Sequence, residues 1–454
     1  MLLHLAKVNR GSAAWPSLPL AAARPDTGRP RMEIELITIG TELLLGQVLD
    51  THQQWLGRRL AERGRPLARQ ITVPDHGPAI CGAVQTALGR ADLVITTGGL
   101  GPTDDDLTRR LLADLLGRPL GQDASVAAHI EGFFRQRNRP MPESVLVQAQ
   151  VPEGAVVFPN RHGTAPGLAI EVAPNPFGDG SEPAWLILLP GPTRELRPMF
   201  DEQVLPFVEK RWPQREAFHC RILRSLGIGE SAVEETLREP LRLLLVRGLE
   251  LGYCARIGQV DIRLSGCGPD MPAILDEAET AVRALIGKHI YGMGDETIAE
   301  AVVAQLTAAG ETLAVAESCT GGLLGHHITN VPGASAVFAG GALSYSNAMK
   351  QKLLGVSEST LAEHGAVSKP VALEMAEGAL EAGGADHALS VTGIAGPDGG
   401  TPEKPVGTVW LGLASTGRRP VALRKFHPFD REAFKHATVH QALNLLGRRL
   451  QKNS

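Results

Sequence analysis

From Met32 onward the sequence predicts an α/β protein built on doubly wound sheets, and three observations carry that prediction. Apolar runs of strand length alternate with amphipathic runs of helical period, the pattern of a sheet covered on both faces. Glycine-rich turns follow the apolar runs that end near Thr97 and Val391. The turn Ala316-Glu317-Ser318-Cys319-Thr320-Gly321-Gly322 follows the strand-like run Thr312 to Val315 and precedes Leu323, Leu324 and Ile328, which share one helical face. At 454 residues the chain is long enough for two or three domains.

Composition narrows the function. A hydrophobic fraction of 43% supports real cores, and a formal net charge of −4 gives no overall basic character. No Lys/Arg block forms a nucleic-acid patch, so nucleic acid is not an expected partner. Cys81, Cys220, Cys254, Cys267 and Cys319 are odd in number and include no Cys-x-x-Cys, the usage of reduced thiols in a cytoplasmic protein. No apolar run approaches a membrane span. Residues 1–31 carry Lys7 and Arg10 but are interrupted by Pro16, Pro19 and Pro25. They are expected to be a disordered tail or to precede a biological start at Met32.

In the first domain, 32–205, Glu33 to Ile39 is a strand, Thr51 to Arg63 a helix with Trp55, Leu56 and Leu60 on one side, and Arg69 to Val73 a strand. Ala79 to Leu88 is a helix and Asp92 to Thr97 a third strand, an order that predicts parallel pairing. Ligands of such sheets sit beyond the carboxyl ends of the strands. Those ends carry Gly40-Thr41-Glu42, Pro74-Asp75-His76 and Thr96 to Thr108. Gly98, Gly99 and Gly101 can present N–H groups to phosphate, and Thr103 can add a hydroxyl. Asp104, Asp105 and Asp106 beside such a cradle would repel phosphate unless a divalent cation such as Mg²⁺ bridges them, with Asp75 at the neighbouring strand end. The alternative is that they occupy the first turn of a helix. The Pro- and Gly-rich stretch Ala173 to Pro183 reads as a surface loop. Trp185 to Leu189 is the closing strand, and the domain is expected to end near Leu205.

Residues 206–292 read as a small α+β unit: strands at Phe218 to Leu223, Leu251 to Ala255 and Val260 to Leu264, and helices at Ser231 to Leu245 and Met271 to Ile286. In 293–454, Ile298 to Leu306 begins a helix. At the 318 turn, a hydroxyl or thiol beside the open N–H groups of a helix start could attack a carbonyl while those groups hold the oxyanion. Ser318 and Thr320 would serve equally as helix caps. Downstream lie Ser344-Tyr345-Ser346-Asn347-Ala348-Met349-Lys350, then Val391-Thr392-Gly393-Ile394-Ala395-Gly396-Pro397-Asp398-Gly399-Gly400. A lysine can activate a serine if burial lowers its pKa, and the Tyr345 hydroxyl could relay the proton or orient the base. Taken singly, Tyr345 reads as a packed aromatic and Lys350 as a solvated charge.

These motifs together resemble a known family. The Thr-Thr-Gly-Gly-x-Gly loop with Asp106 five residues after its last glycine, and Asp75 of the Pro-Asp pair, resemble the molybdopterin-binding fold of molybdopterin adenylyltransferases. Gly40-Thr41-Glu42-Leu43-Leu44-Leu45-Gly46-Gln47, Gly98 to Thr108 and Gly163-Thr164-Ala165-Pro166-Gly167 look specifically like the competence/damage-inducible protein A family. That resemblance implies an ADP-ribose pyrophosphatase activity with metal-associated Asp75 and Asp106, a KH-like middle domain and a homodimer. The middle domain has Gly227-Ile228-Gly229 but no Gly-x-x-Gly clamp, so a connecting role is expected. His52 stands where the family has asparagine.

Glu296 to about Leu446 is similar to the family's nicotinamide mononucleotide deamidase domain, through Glu-Ser-Cys-Thr-Gly-Gly, Tyr-Ser-Asn-x-x-Lys and Gly-x-Ala-Gly-Pro-x-Gly-Gly. The resemblance implies that Ser318 attacks the carboxamide, that Lys350 assisted by Tyr345 moves the proton, and that no cofactor is needed. Thr320, Gly321, Gly322, Thr392 and Gly393 would bind the nucleotide. Lys435 and His436 stand where the family has arginines, leaving phosphate to Lys435 or Arg431; Cys319 is a competing nucleophile. Two other readings remain: a competence or DNA-damage scaffold with degenerate sites, and a molybdopterin-handling enzyme.

Overall fold

The computed structural model describes residues 32–178, 183–214 and 216–451. The expectation for residues 1–31 falls outside the described residues. The chain forms two compact units that meet at Pro213/Gln214. The first passes the boundary expected at Leu205 because the helix Leu205–Arg211 buries Leu205 and Val208 against the same core as the strands before it.

In the first unit the strands are β1 (Ile34–Ile39), β2 (Arg69–Val73), β3 (Leu93–Thr97), β4 (Leu120–Gln122), β5 (Gln150–Pro152), β6 (Val156–Phe158), β7 (Gly167–Val172) and β8 (Ala184–Leu189). The main sheet runs β2-β1-β3-β8-β7-β6, while β4 and β5 pair as a separate ribbon. β2, β1, β3 and β8 are mutually parallel, but β7 runs against both β8 and β6. The sheet is therefore mixed rather than parallel throughout. Its residues alternate between two cores: Ile37, Val94, Ile170 and Leu188 face one, Leu36, Ile95, Ala169 and Leu189 the other. This is the period-2 signature of a sheet covered on both sides. The stretch after β7 is tied down: Asn175 is buried and donates from Nδ2 to the Leu88 carbonyl at 2.7 Å.

The second unit begins with an antiparallel sheet, order β10-β11-β9-β12, from β9 (Phe218–Leu226), β10 (Glu250–Arg256), β11 (Gln259–Cys267) and β12 (Ile290–Met293). The helix expected over Ser231 to Leu245 is two helices, Glu230–Arg238 and Arg242–Val246. Pro240, which lacks an N–H and crowds the preceding turn, lies between them. Together with Met271–Ile286 they cover one face of this sheet. The Gly-x-Gly turn is used inwardly: a Cβ on Gly227 would sit 3.4 Å from Gln441 Nε2. Leu226 and Tyr291 join the core of the following sheet, and Gln259 Nε2 lies 3.2 Å from His440 Nδ1.

That following sheet comprises β13 (Leu313–Glu317), β14 (Phe338–Leu343), β15 (His387–Gly393), β16 (Thr408–Ser415) and β17 (Arg418–Phe426), in the order β14-β13-β15-β16-β17. β14, β13 and β15 are parallel, and β16 and β17 close the sheet antiparallel. Ala314, Ala316 and Ala388 face the helix Lys369–Gly383, while Leu313, Val315, Leu389 and Val391 face the helices Ile298–Ala309 and Arg431–Gln451.

Both units share one topological feature. Strand order 2-1-3 in the first and 14-13-15 in the second means that the chain leaves its first parallel strand to one side, then returns to pair on the other. A crevice opens at the carboxyl end of that strand, the place where open α/β sheets bind ligands.

Candidate functional site

Ser318 follows the last residue of β13 and sits in the crevice of the second unit. Ser344 and Tyr345 follow β14, and Thr392 and Gly393 end β15. The helix Asn347–Leu354, capped by Ser346 Oγ on the Met349 N–H, turns Lys350 inward, where it is 1% exposed. Lys350 Nζ lies 2.9 Å from Ser318 Oγ, 2.8 Å from the Ser344 carbonyl and 3.3 Å from the Tyr345 carbonyl. A neutral amine has two N–H donors and one lone pair; the two carbonyls accept the donors, and the lone pair is left for the Ser318 hydroxyl proton. Burial lowers the Lys350 pKa from its usual 10.5, the Cys319 thiol acting in the opposite sense. This is the geometry of a serine with a lysine general base.

The pair opens on a cavity of about 180 Å³ lined by Ser318, Cys319, Tyr345, Lys350, Ala366, Val367, Thr392, Gly393, Ala395 and Arg431. Two basic side chains, the Lys350 amine and the Arg431 guanidinium, and no carboxylate line it. Apolar Ala366, Val367 and Ala395 supply its walls; Ala395 belongs to the Gly-x-Ala-Gly-Pro motif, while Ala366 and Val367, which sequence reading missed, stand in a loop with no motif.

The remaining expected residues are placed as follows. Tyr345 is 67% exposed, and its hydroxyl accepts from Arg431 Nη2 at 3.1 Å; the part of Tyr345 that reaches Lys350 is its main-chain carbonyl. Arg431 also donates from Nη1 to the Gly396 carbonyl at 2.7 Å. Lys435 lies a turn further along the helix Arg431–Gln451, outside the cavity lining, and His436 packs against His327 with ring centroids 5.6 Å apart. The Thr392 hydroxyl donates to the Ala366 carbonyl at 2.8 Å, so its proton is not free for a ligand. Gly393 admits no side chain, since a Cβ there would lie 2.9 Å from the Thr408 carbonyl oxygen.

The 318 turn departs from expectation. The open N–H groups of the helix start are already taken by Glu317, whose carboxylate accepts from Gly322, Leu324 and Gly325 N–H at 3.0, 3.0 and 2.8 Å. The buried Thr320 hydroxyl also donates to Glu317, at 2.7 Å. Thr320, Gly321 and Gly322 therefore shape the turn and do not line the cavity; Gly321 and Gly322 adopt φ of 62° and 97°, open to glycine. Cys319 is buried, and burial pushes its thiol up to about 12, with the Glu317 charge adding to the rise. A thiol so raised is protonated at neutral pH, which favours Ser318 over it as the nucleophile.

In the first unit the three strand-end groups meet. Thr41 N–H donates to Asp75 Oδ2 at 2.7 Å, and Asp75 N–H to Thr41 Oγ1 at 3.1 Å. Gly98, at φ 100°, lies against β1, where a Cβ would sit 2.5 Å from the Ile39 carbonyl oxygen. Thr103 does not offer its hydroxyl outward: both its hydroxyl and its N–H donate to Asp106 Oδ2. A Cβ on Gly99 would strike Thr108 Oγ1 and one on Gly101 the Asp106 carboxylate, so these glycines are required by packing of the loop on itself. Asp104, Asp105 and Asp106 precede the helix Thr108–Leu115 rather than forming its first turn. His52 bonds the Gly191 carbonyl, and Gly191 abuts Gly98. No group of three or more His, Cys, Asp or Glu side chains among the described residues could hold a metal ion alone.

The class so defined is an α/β protein with two strand-end sites, one in each unit, and a buried serine–lysine pair in the second. Three domain profiles match the chain, one in the first unit and two in the second: "Probable molybdopterin binding domain" over residues 35–210, "Damage-inducible protein CinA KH domain" over 220–292 and "CinA C-terminal domain" over 295–450. A CinA-like protein of Akkermansia muciniphila is 44% identical, over 91% of this chain and 96% of its own. Another, from Gemmatimonas aurantiaca, is 40% identical over 92% and 96%. The chain belongs to the CinA family. Among solved structures, the competence/damage inducible protein CihA of Agrobacterium tumefaciens is 41% identical over 33% of this chain and 91% of its own, with a TM-score of 0.32. Among the described residues no helix is long and apolar enough to cross a membrane.

Proposed function

We propose that the second unit hydrolyses the carboxamide of nicotinamide mononucleotide to nicotinate mononucleotide and ammonia. The observation that carries this reading is the 2.9 Å approach of a buried lysine amine to Ser318 Oγ in a cavity that Arg431 also lines. A cavity of roughly 150 Å³ accommodates a benzene ring. The cavity here is of that order, enough for the pyridine amide, with the ribose phosphate directed to its mouth and Arg431. Ser318 attacks the amide carbon as its proton passes to Lys350; ammonia departs with that proton, and water resolves the ester. Ammonia release from nicotinamide mononucleotide by wild type and Ser318→Ala tests this; equal rates would sink it.

The first unit is read as an ADP-ribose pyrophosphatase that takes up a divalent ion together with its substrate. The residues fit such an ion only in part. Asp75 and Asp106 each spend one oxygen, Oδ2, on a neighbouring residue and keep the other, and Asp105 is exposed. This is a donor set suited to Mg²⁺ completed by substrate phosphate and water. When bound, the ion would neutralise pyrophosphate charge. Cleavage of ADP-ribose with and without divalent metal is the test, and absence of both activities in folded protein would favour a scaffold role. A homodimer is the assembly we propose. In its support, Leu343 on the edge strand β14 and Met349 and Leu353 on the next helix leave an apolar strip exposed. A monomeric mass in sedimentation would refute it.

A further inference from the structure

Glu317 is a charged residue at 1% exposure on the last position of a strand. Burying a carboxylate is costly unless its lone pairs are filled. Four donors fill them: the Thr320 hydroxyl at 2.7 Å and the N–H groups of Gly322, Leu324 and Gly325 at 3.0, 3.0 and 2.8 Å. Of the other N–H groups in the turn, Ser318 donates to the Val391 carbonyl at 3.1 Å and Gly321 to the Ser318 carbonyl at 3.2 Å. Among the described residues, Cys319 and Thr320 N–H find no acceptor on another residue. The Cys319 N–H, in a buried turn, meets only its own thiol, an uncommonly weak partner for a buried donor. Cys319 directly follows the nucleophile and lines the cavity.

We propose that Glu317 is the positioning residue of the amide hydrolysis, and that the N–H of Cys319, next to the nucleophile on the cavity wall, receives the oxyanion. This rests on the amidase reading. As Ser318 Oγ bonds to the carboxamide carbon, the C=O π pair moves onto oxygen and the serine proton passes to neutral Lys350. Donors fixed in advance stabilise that oxygen without reorganising. Collapse restores C=O and breaks the C–N bond, and the Lys350 proton leaves on ammonia. Glu317 touches none of these atoms. It anchors Thr320 by its hydroxyl and Gly322 by its N–H, the residues on either side of Gly321, and so fixes the turn that carries Ser318 and the Cys319 N–H.

Glu317→Gln preserves shape but replaces one acceptor oxygen with an amide nitrogen that cannot receive an N–H. Its kcat for ammonia release from nicotinamide mononucleotide is expected to fall roughly 10- to 100-fold, with KM within about threefold. Thr320→Val, which removes only the 2.7 Å hydroxyl bond, should show the same split at smaller size. Wild type that releases no ammonia overturns the amidase reading itself and, with it, any reaction for Glu317 to assist. Wild-type turnover with unchanged kcat in folded Glu317→Gln, or a loss confined to KM, overturns the positioning role alone. Where Glu317→Gln does not fold, Thr320→Val decides, and an unchanged kcat there overturns the proposal.

Discussion

Lys350 Nζ lies 2.9 Å from Ser318 Oγ although 32 residues separate them in the chain. The contact exists because β13 and β14 are parallel neighbours, so the turn after one strand and the helix after the other open at the same edge of the sheet. Removing either partner should remove the reaction. Ser318→Ala and Lys350→Ala are each expected to lower ammonia release by roughly 10³-fold or more, while Cys319→Ala stays within a few-fold of wild type. Loss of turnover in Cys319→Ala alone would reverse the assignment.

The base must be neutral to accept a proton, and burial favours the neutral form. The pH profile of kcat/KM should therefore rise through a midpoint below 10.5. Lys350→Arg should not restore activity, because a guanidinium stays charged. Stability follows the same sign. Between the lowered folded value and 10.5 the unfolded chain binds the proton more tightly, so stability increases with pH across that window. Lys350→Met should flatten this part of a denaturation series.

Gly378 supports the same helix from behind. A Cβ there would lie 1.9 Å from the Leu354 carbonyl oxygen, at the end of the helix that carries Lys350. Gly378→Ala is expected to cost about 3 kcal/mol, read from chemical denaturation, because two helix backbones must part. An unaltered midpoint would contradict the close packing.

His440 and His427 are both held at about 4 by burial, and His440 further by His327, His436 and Arg224 around it. Both take up protons more readily when unfolded, so stability should fall as pH drops from about 6.5 towards 4. His440→Gln, which does not titrate, should weaken that fall; an identical slope would show that the contact with Gln259 is not under acid stress.

In the first unit, Asp75→Asn should reduce metal-stimulated cleavage of ADP-ribose at least roughly tenfold, since a neutral amide is a poorer Mg²⁺ ligand than a carboxylate. Ammonia release should be unchanged. Full metal stimulation in the variant would remove Asp75 from the site.

Much of this protein could be read from its sequence. Alternating periods gave β2 and the helix Met271–Ile286 their observed limits, because strand and helix period are local properties of a chain. The motif residues Ser318, Tyr345, Lys350, Thr392, Gly393 and Arg431 do line one cavity. What the sequence could not show was how each polar group is spent. A hydroxyl, an amide or a carboxylate is available to a substrate only if no neighbour has claimed it, and neighbours are fixed by sheet order and register. Tertiary structure thus assigned Thr392 to Ala366, Thr103 to Asp106 and the Tyr345 phenol to Arg431, and closed the helix start with Glu317. It also turned Lys350, a surface charge by composition, into a desolvated amine facing Ser318.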